Sequence, residues 1–369
     1  MGTMSLLARF TLSLSLGTTC ALTACAVSNS TGSTMGAGGE SAGGGGGGVT
    51  ATTSTSAGGQ GGEGGTMFTG SGGAGGSEPD KVIVFTHTNK TLYSLDPTMG
   101  DLGLKVVGNF DCIGGAGQDS AMTDIAVNSQ GDLWGISATS VYKLVVQGST
   151  VHCASTTVLS NAQMVQFYAL TFAPPGVIDP AKEVLVAGNT AGELWAVDES
   201  GGLTLHGNFG NVPSSDGNGH SYPQKNQGKR WELSGDIVFL ANNGQPVGFA
   251  TVRDCPNPPV NSGCNLVDTL IEINMAALKN ASNQSITKSV RGQIVQQPGC
   301  ADPDGQNGYG SMYGIAAWND KVFGLSHNGA IVQINNANGM ACLVKNVPMT
   351  FWNGAGVTTL APVIGPPPK

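Results

Sequence analysis

Five segments of the chain share one alternating apolar core: Thr91-Leu92-Tyr93-Ser94-Leu95-Asp96, Ser140-Val141-Tyr142-Lys143-Leu144-Val145, Glu193-Leu194-Trp195-Ala196-Val197-Asp198, Thr269-Leu270-Ile271-Glu272-Ile273-Asn274 and Ala330-Ile331-Val332-Gln333-Ile334-Asn335. Alternation of this kind marks a strand with one buried face. Its return at intervals of roughly 40 to 80 residues marks a radial β-repeat, in which each unit buries its faces against its neighbours. Each core segment follows a second strand, at residues 81–86, 131–136, 183–188, 246–251 and 321–326. Four of these follow a third, at 123–127, 169–173, 235–239 and 313–317, whose small apolar residues suit the crowded centre of a ring. The first repeat lacks that strand. The segment Gly356-Val357-Thr358-Thr359-Leu360-Ala361 has its character and no repeat after it, so it is expected to close the ring by pairing with 81–86. Closure removes the exposed edges of an open sheet.

The count is therefore five blades. The clearest outer strands are 104–110 and 203–209. The whole resembles the broad NHL-like and YVTN-like β-propeller group across nearly all of 81–361. That resemblance implies an all-β, five-bladed β-propeller spanning residues 79–369.

What precedes the repeat has a different composition. Arg9 and the apolar stretch from Phe10 to Ala24 read as an export signal over residues 1–24, too short for a mature membrane span. Leu22-Thr23-Ala24-Cys25 resembles the lipobox of bacterial lipoproteins, which implies lipidation of Cys25. Ala26 in place of an Asp then implies anchoring in the outer membrane, with the domain facing the periplasm or the exterior. Residues 25–78 collapse to Gly, Ser, Thr and Ala, including the run from Gly43 to Gly48, and read as a disordered linker. Gly39-Glu40-Ser41-Ala42-Gly43 matches the hydrolase nucleophile elbow by letter. That motif needs a strand before it and a helix after it, which polyglycine does not supply.

Composition narrows the functional classes. With 16 Lys and Arg scattered through the chain and a net charge of -8, there is no electrostatic footprint for nucleic acid. No motif demands a cofactor. Of the 8 Cys, Cys20 leaves with the signal and Cys25 takes the lipid, leaving an even number in an exported protein. The expected disulfides are Cys112 with Cys153, Cys255 with Cys264, and Cys300 with Cys342. Zinc is the competing reading, without a C-x-x-C or H-E-x-x-H spacing to support it.

The long connections 111–122, 210–233, 253–267, 296–312 and 346–355 all fall on one face of a propeller, leaving the other short-looped and plain. Loops on a rigid scaffold are the usual carriers of binding. Aromatics in or beside the connections of this face are Phe167, Tyr168, Tyr222, Trp231, Tyr309, Tyr313, Phe351 and Trp352. Tyr222, Trp231, Tyr309 and Trp352 are taken as the binding candidates, since a ring can stack on a sugar or anchor a protein. Asp124 and Asp236 occupy one repeat position near the channel mouth and are the candidates for acid and base chemistry on a glycoside. Their competing role is hydrogen bonding to a neighbouring blade. His87 and His327 are equivalent positions in adjoining blades, too few for a metal site. Asp302, Asp304 and Asn307 alternate as calcium-loop ligands do, but the terminal Glu is missing. The favoured function is a lipid-anchored module that binds a glycan or protein. The alternative is a propeller hydrolase acting on a glycoside or lactone.

Overall fold

The computed structural model describes residues 84–160, 166–259, 262–300, 307–319 and 321–361. All of them lie in the compact unit Ala74–Lys369. The signal segment, Cys25, the linker, the start of the first strand, Asp302 and Asp304 fall outside the described residues.

The described residues form sheets without an α-helix. One unit comprises β1 (Val84–His87), β2 (Thr91–Leu95) and β3 (Lys105–Phe110), with β20 (Gly354–Gly356) paired to β1. The next is β4 (Met122–Val127), β5 (Leu133–Ser137), β6 (Ser140–Gln147) and β7 (Thr150–Val158). Three further sheets follow: β8 (Phe167–Ala173), β9 (Val184–Asn189), β10 (Glu193–Val197) and β11 (Leu203–Asn208); β12 (Glu232–Leu240), β13 (Val247–Arg253), β14 (Thr269–Ile273) and β15 (Thr287–Gln293); and β16 (Met312–Trp318), β17 (Lys321–Ser326), β18 (Ala330–Ile334) and β19 (Ala341–Asn346). Within each unit, neighbours pair antiparallel. The first two units merge into one eight-stranded sheet through two parallel pairs, Asn109 with Thr150 and Phe110 with Val151.

Burial follows from position in this order. The first strands are covered on both faces, and β12 is buried at every residue. Outer strands alternate or lie open, as β3 and β7 do. The first strands pack in a closed cycle: β4 on β8, β8 on β12, β12 on β16, β16 on β20, and β20 on β4. The arrangement is all-β and propeller-like. In β2, β10, β14 and β18 the register to the outer strand shifts after the second motif residue, while in β6 it shifts between Lys143 and Leu144.

The closing strand differs from the sequence expectation. Pairing runs over Gly354–Gly356 against Phe85–His87, two residues ahead of the segment 356–361. Sterics explain the shift, because a Cβ on Gly354 would collide with Asp124 Oδ1 and His87 Nε2. Only glycine passes there. The residues after β20 cross the end of the axis instead: Thr358 Oγ1 donates to Asn128 O at 2.9 Å, Thr359 O accepts from Ala241 N at 2.8 Å, and Thr359 Oγ1 donates to Glu183 Oε1.

All three expected disulfides are present, Cys112–Cys153, Cys255–Cys264 and Cys300–Cys342. The first ties the connection after β3 to β7, beside the parallel pairs that merge the first two units. Cross-linking residues 41 apart restricts the unfolded chain far more than cross-linking residues 9 apart. The double variant Cys112→Ser/Cys153→Ser is expected to lose about 3 to 4 kcal/mol, and Cys255→Ser/Cys264→Ser roughly 1 kcal/mol less. Urea unfolding midpoints at constant slope check both values, and an inverted order would contradict the loop-closure account.

Candidate functional site

The topology sets the long connections on one face, where the first strands begin. The other face is less plain than expected, since connections 174–183 and 274–286 both lie on it.

At the mouth of the axis stand Asp124 and Asp236, both fully buried. The register shifts between Met122 and Asp124 and between Leu233 and Ile237 bulge β4 and β12 at matching levels and turn these carboxyls inward. Asp124 Oδ2 accepts from Leu170 N at 2.5 Å. Asp236 Oδ2 accepts from Ile315 N at 2.7 Å and Ala355 N at 3.3 Å, and its Oδ1 accepts from its neighbour Ile237 N at 2.5 Å. The cavity beneath them, lined by Leu170, Ile237, Ile315 and Ala355 among others, holds about 10 Å³. That is room for about one water molecule. The two carboxyls therefore bond to backbone across the ring and face no space that a sugar could enter.

Their electrostatics follow from burial. Loss of water raises the Asp124 carboxyl well above its ordinary value, and the nearby Asp236 charge raises it further. Burial likewise raises Asp236, to about 7, against the lowering effect of its hydrogen bonds from Asp124, Ile315, Ile237 and Ala355. Asp124 Oδ1 has no hydrogen-bond partner, and neither has His87 Nε2, 3.8 Å away. The Nδ1–H of His87 donates to Thr88 O at 2.9 Å, leaving Nε2 as a bare acceptor. Burial lowers the imidazole to about 4, so it stays neutral. Burial thus favours the neutral form of Asp124, which lets Asp236 keep the charge that its amides stabilise.

Folded-state values above the unfolded ones mean that the folded protein holds protons that the unfolded chain has released. This contribution is fully present below the ordinary Asp value near 4 and is lost as pH rises toward about 7. Asp124→Asn removes a titrating carboxyl from the axis and is expected to flatten that decline. Asp236→Asn turns an amide group toward backbone N–H donors and should cost about 1 to 3 kcal/mol at all pH values. Chemical denaturation between pH 4 and 8 measures both effects; an Asp124→Asn profile as steep as that of the native chain would contradict a proton held at Asp124.

The four aromatic binding candidates are core residues. Tyr222, Trp231, Tyr309 and Trp352 are all buried, which corrects the expectation of exposed contacts. Tyr222 packs edge-to-face on Trp231 at 5.2 Å and bonds Thr269 Oγ1 at 3.1 Å. Trp352 packs edge-to-face on Tyr93 at 5.2 Å and donates from Nε1 to Gly329 O at 3.2 Å. Large rings under long loops bury apolar area that the narrow strands alone cannot cover.

Among the described residues, the exposed aromatic is the one beside Trp352. Phe351 is 57% exposed and stacks at 5.2 Å on His327, which stacks at 4.8 Å on Tyr313. The Arg253 guanidinium lies 5.8 Å from the Tyr313 ring centre. His327 is held by Nδ1–H donation to Trp352 O at 3.1 Å. Half-buried Tyr168 joins this ladder at the mouth, its phenol raised by burial and by Tyr313. Leu266, 78% exposed, packs its backbone on Gly310, and the adjoining Ser311 carbonyl accepts from the His327 amide at 2.9 Å. Met349, two residues from Phe351, is 92% exposed. The three rings make a contiguous ladder on the long-loop face, and exposed Leu266 and Met349 lie on connections of that same face. Asn307, from the calcium-like run, has positive φ and accepts through its carbonyl from Gln296 N at 3.1 Å. That is turn geometry.

No protein-family model and no curated protein matches the chain. Among solved structures it is similar to a protein of unknown function from Bacteroides caccae, with 8% identity, 75% of this chain and 99% of that one covered, and a TM-score of 0.34. It is also similar to U3-55K and to the RRP9 WD40 repeats, each with 10% identity and a TM-score of 0.35. Those two alignments cover 76% of this chain, with 82% and 81% of the respective neighbours.

Proposed function

We propose that the chain is an extracytoplasmic interaction module on a five-bladed β-propeller, using the Tyr313, His327 and Phe351 ladder with Leu266 and Met349 to hold a protein partner. The closed cycle of β4, β8, β12, β16 and β20 supports the blade count, with the eight-stranded sheet read as two blades fused through β3 and β7. The observation that carries the functional reading is the ladder itself. Contiguous exposed apolar side chains on a rigid frame mark interaction surfaces, and Met and aromatic residues are enriched in them. A glycan would need hydrogen-bonding groups around the ring; the nearby Arg253 guanidinium donates to Ser234 O at 2.7 Å and to Ser234 Oγ at 2.9 Å. The hydrolase reading finds no support in Asp124 and Asp236, which are buried, bonded to backbone and without a substrate cavity.

Three disulfides suit an oxidising compartment, and Cys25 is proposed as the lipid anchor to the outer membrane. Replacing Cys25 with Ala should move the protein from the membrane to the soluble fraction of fractionated cells.

Phe351→Glu and Met349→Glu are expected to weaken capture of the envelope partner at least tenfold while changing stability by less than about 0.5 kcal/mol. Trp352→Ala should instead cost about 3 to 5 kcal/mol, as loss of a core ring does. Affinity capture with these three variants and a parallel glycan array make the test. Undiminished capture by Phe351→Glu would remove the ladder from consideration, and an array signal abolished by that variant would reassign it to a sugar.

A further inference from the structure

On the face opposite the aromatic ladder, a groove of about 710 Å³ opens between β5 and the sheet of β8 to β11. This lies within the range of small-ligand and peptide sites. Its apolar floor is Trp134 and Phe172, edge-to-face at 6.3 Å, with Leu185 and Val197 beside them. Asp198 and Glu199, both exposed, form an acidic stretch of the rim on the β10–β11 turn, while exposed Lys182 lines the groove on the β8–β9 side. The Ser200 hydroxyl and the Gly202 and Ser200 amides hold the Asp198 carboxyl below its ordinary value, so it stays charged.

The groove also has an attachment to the end of the chain. Glu183, another of its lining residues, accepts from Ser129 N at 2.9 Å and Ser129 Oγ at 2.8 Å through Oε2, and from the Thr359 hydroxyl through Oε1. The described chain reaches Ala361 two residues later, where it is still buried. The sequence that follows is Pro362-Val363-Ile364-Gly365-Pro366-Pro367-Pro368-Lys369. Proline runs favour the polyproline II helix, in which eight residues span roughly 25 Å at about 3.1 Å each. Aromatic-lined grooves receive such helices at low entropic cost, because the conformation is set before binding.

We propose that the groove is the docking site of this chain's own segment 362–369, with the prolines against Trp134 and Phe172 and Lys369 toward Asp198 and Glu199. Three observations converge on that occupant: the tether at Thr359 and Glu183 starts it at the groove, its prolines match the aromatic floor, and its lysine matches the Asp198 and Glu199 stretch, whose carboxyls outnumber the one lysine of the lining. Docking there covers an apolar surface between two sheets and fixes the chain end against the units that Thr358 and Thr359 already bridge. The groove lies on the face opposite the proposed partner surface, so the two readings fail independently.

The test uses the chain and a version ending at Ala361. A fluorescent peptide of sequence Pro-Val-Ile-Gly-Pro-Pro-Pro-Lys is titrated into each and followed by polarisation. The shortened chain is expected to bind it at least tenfold more tightly than the intact chain, whose groove is occupied. In the shortened chain, Trp134→Ala should abolish binding. Exposed Glu199→Lys, which leaves the core untouched, should weaken it at least threefold, with an effect that diminishes in high salt. Equal affinity for both chains, no binding to a folded shortened chain, or indifference to Glu199→Lys would overturn the proposal. So would a concentration-dependent dimer of the intact chain that the shortening abolishes, since that outcome places the segment in a neighbouring copy.

Discussion

The interaction on which the rest depends is the set of backbone amides gathered by Asp236 at the axis. Its carboxylate, carried on β12, accepts from Ile315 on β16 and from Ala355 on β20. One side chain thus joins three first strands, including the strand that comes from the far end of the chain to complete the first unit. Such a bond adds a link across the axis, where each sheet otherwise meets only its neighbours. Burying a charge there is costly without several donors, and the amides of other strands supply them. Asp124 holds β8 in the same manner through Leu170 N, but its second oxygen faces the bare nitrogen of His87. The axis therefore accommodates one well-bonded charge and one carboxyl better held neutral.

Both ends of the axis are consequently closed. The carboxyls and glycines fill the mouth, and Val357 to Ala361 cross the other end, tied to Asn128, Glu183 and Ala241. A sealed channel removes the place where a small substrate would sit in an open ring. The two faces differ. On one of them, long connections carry a stacked aromatic ladder. On the other, a groove opens where β5 meets the next sheet.

Much of this frame was legible because its causes are local. Alternation exposed the second and third strands of each unit, since one buried face imposes period two wherever it occurs. The outer strands β7, β15 and β19 were harder to read. A strand such as Thr150–Val158, largely exposed, has little reason to keep an apolar pattern. Cysteine parity revealed the disulfides, which are a property of pairs more than of fold. The matching positions of Asp124 and Asp236 were visible, whereas their bonding partners, on β8, β16 and β20, were not. Those partners come from remote sequence and become neighbours only when the ring closes.

The aromatic residues show most clearly where sequence reading stops. Phe351 and Trp352 are adjacent and similar in chemistry, yet one is 57% exposed and the other is fully buried. In extended backbone, consecutive side chains point in opposite directions, so a choice of phase decides which ring becomes core. That phase is set two residues later, where Gly354 must pass Asp124 and His87 because no Cβ fits. With Gly354 fixed against the axis, Trp352 turns inward on Tyr93 and Phe351 turns outward on His327. The same close approach that seals the channel therefore orients the exposed end of the aromatic ladder.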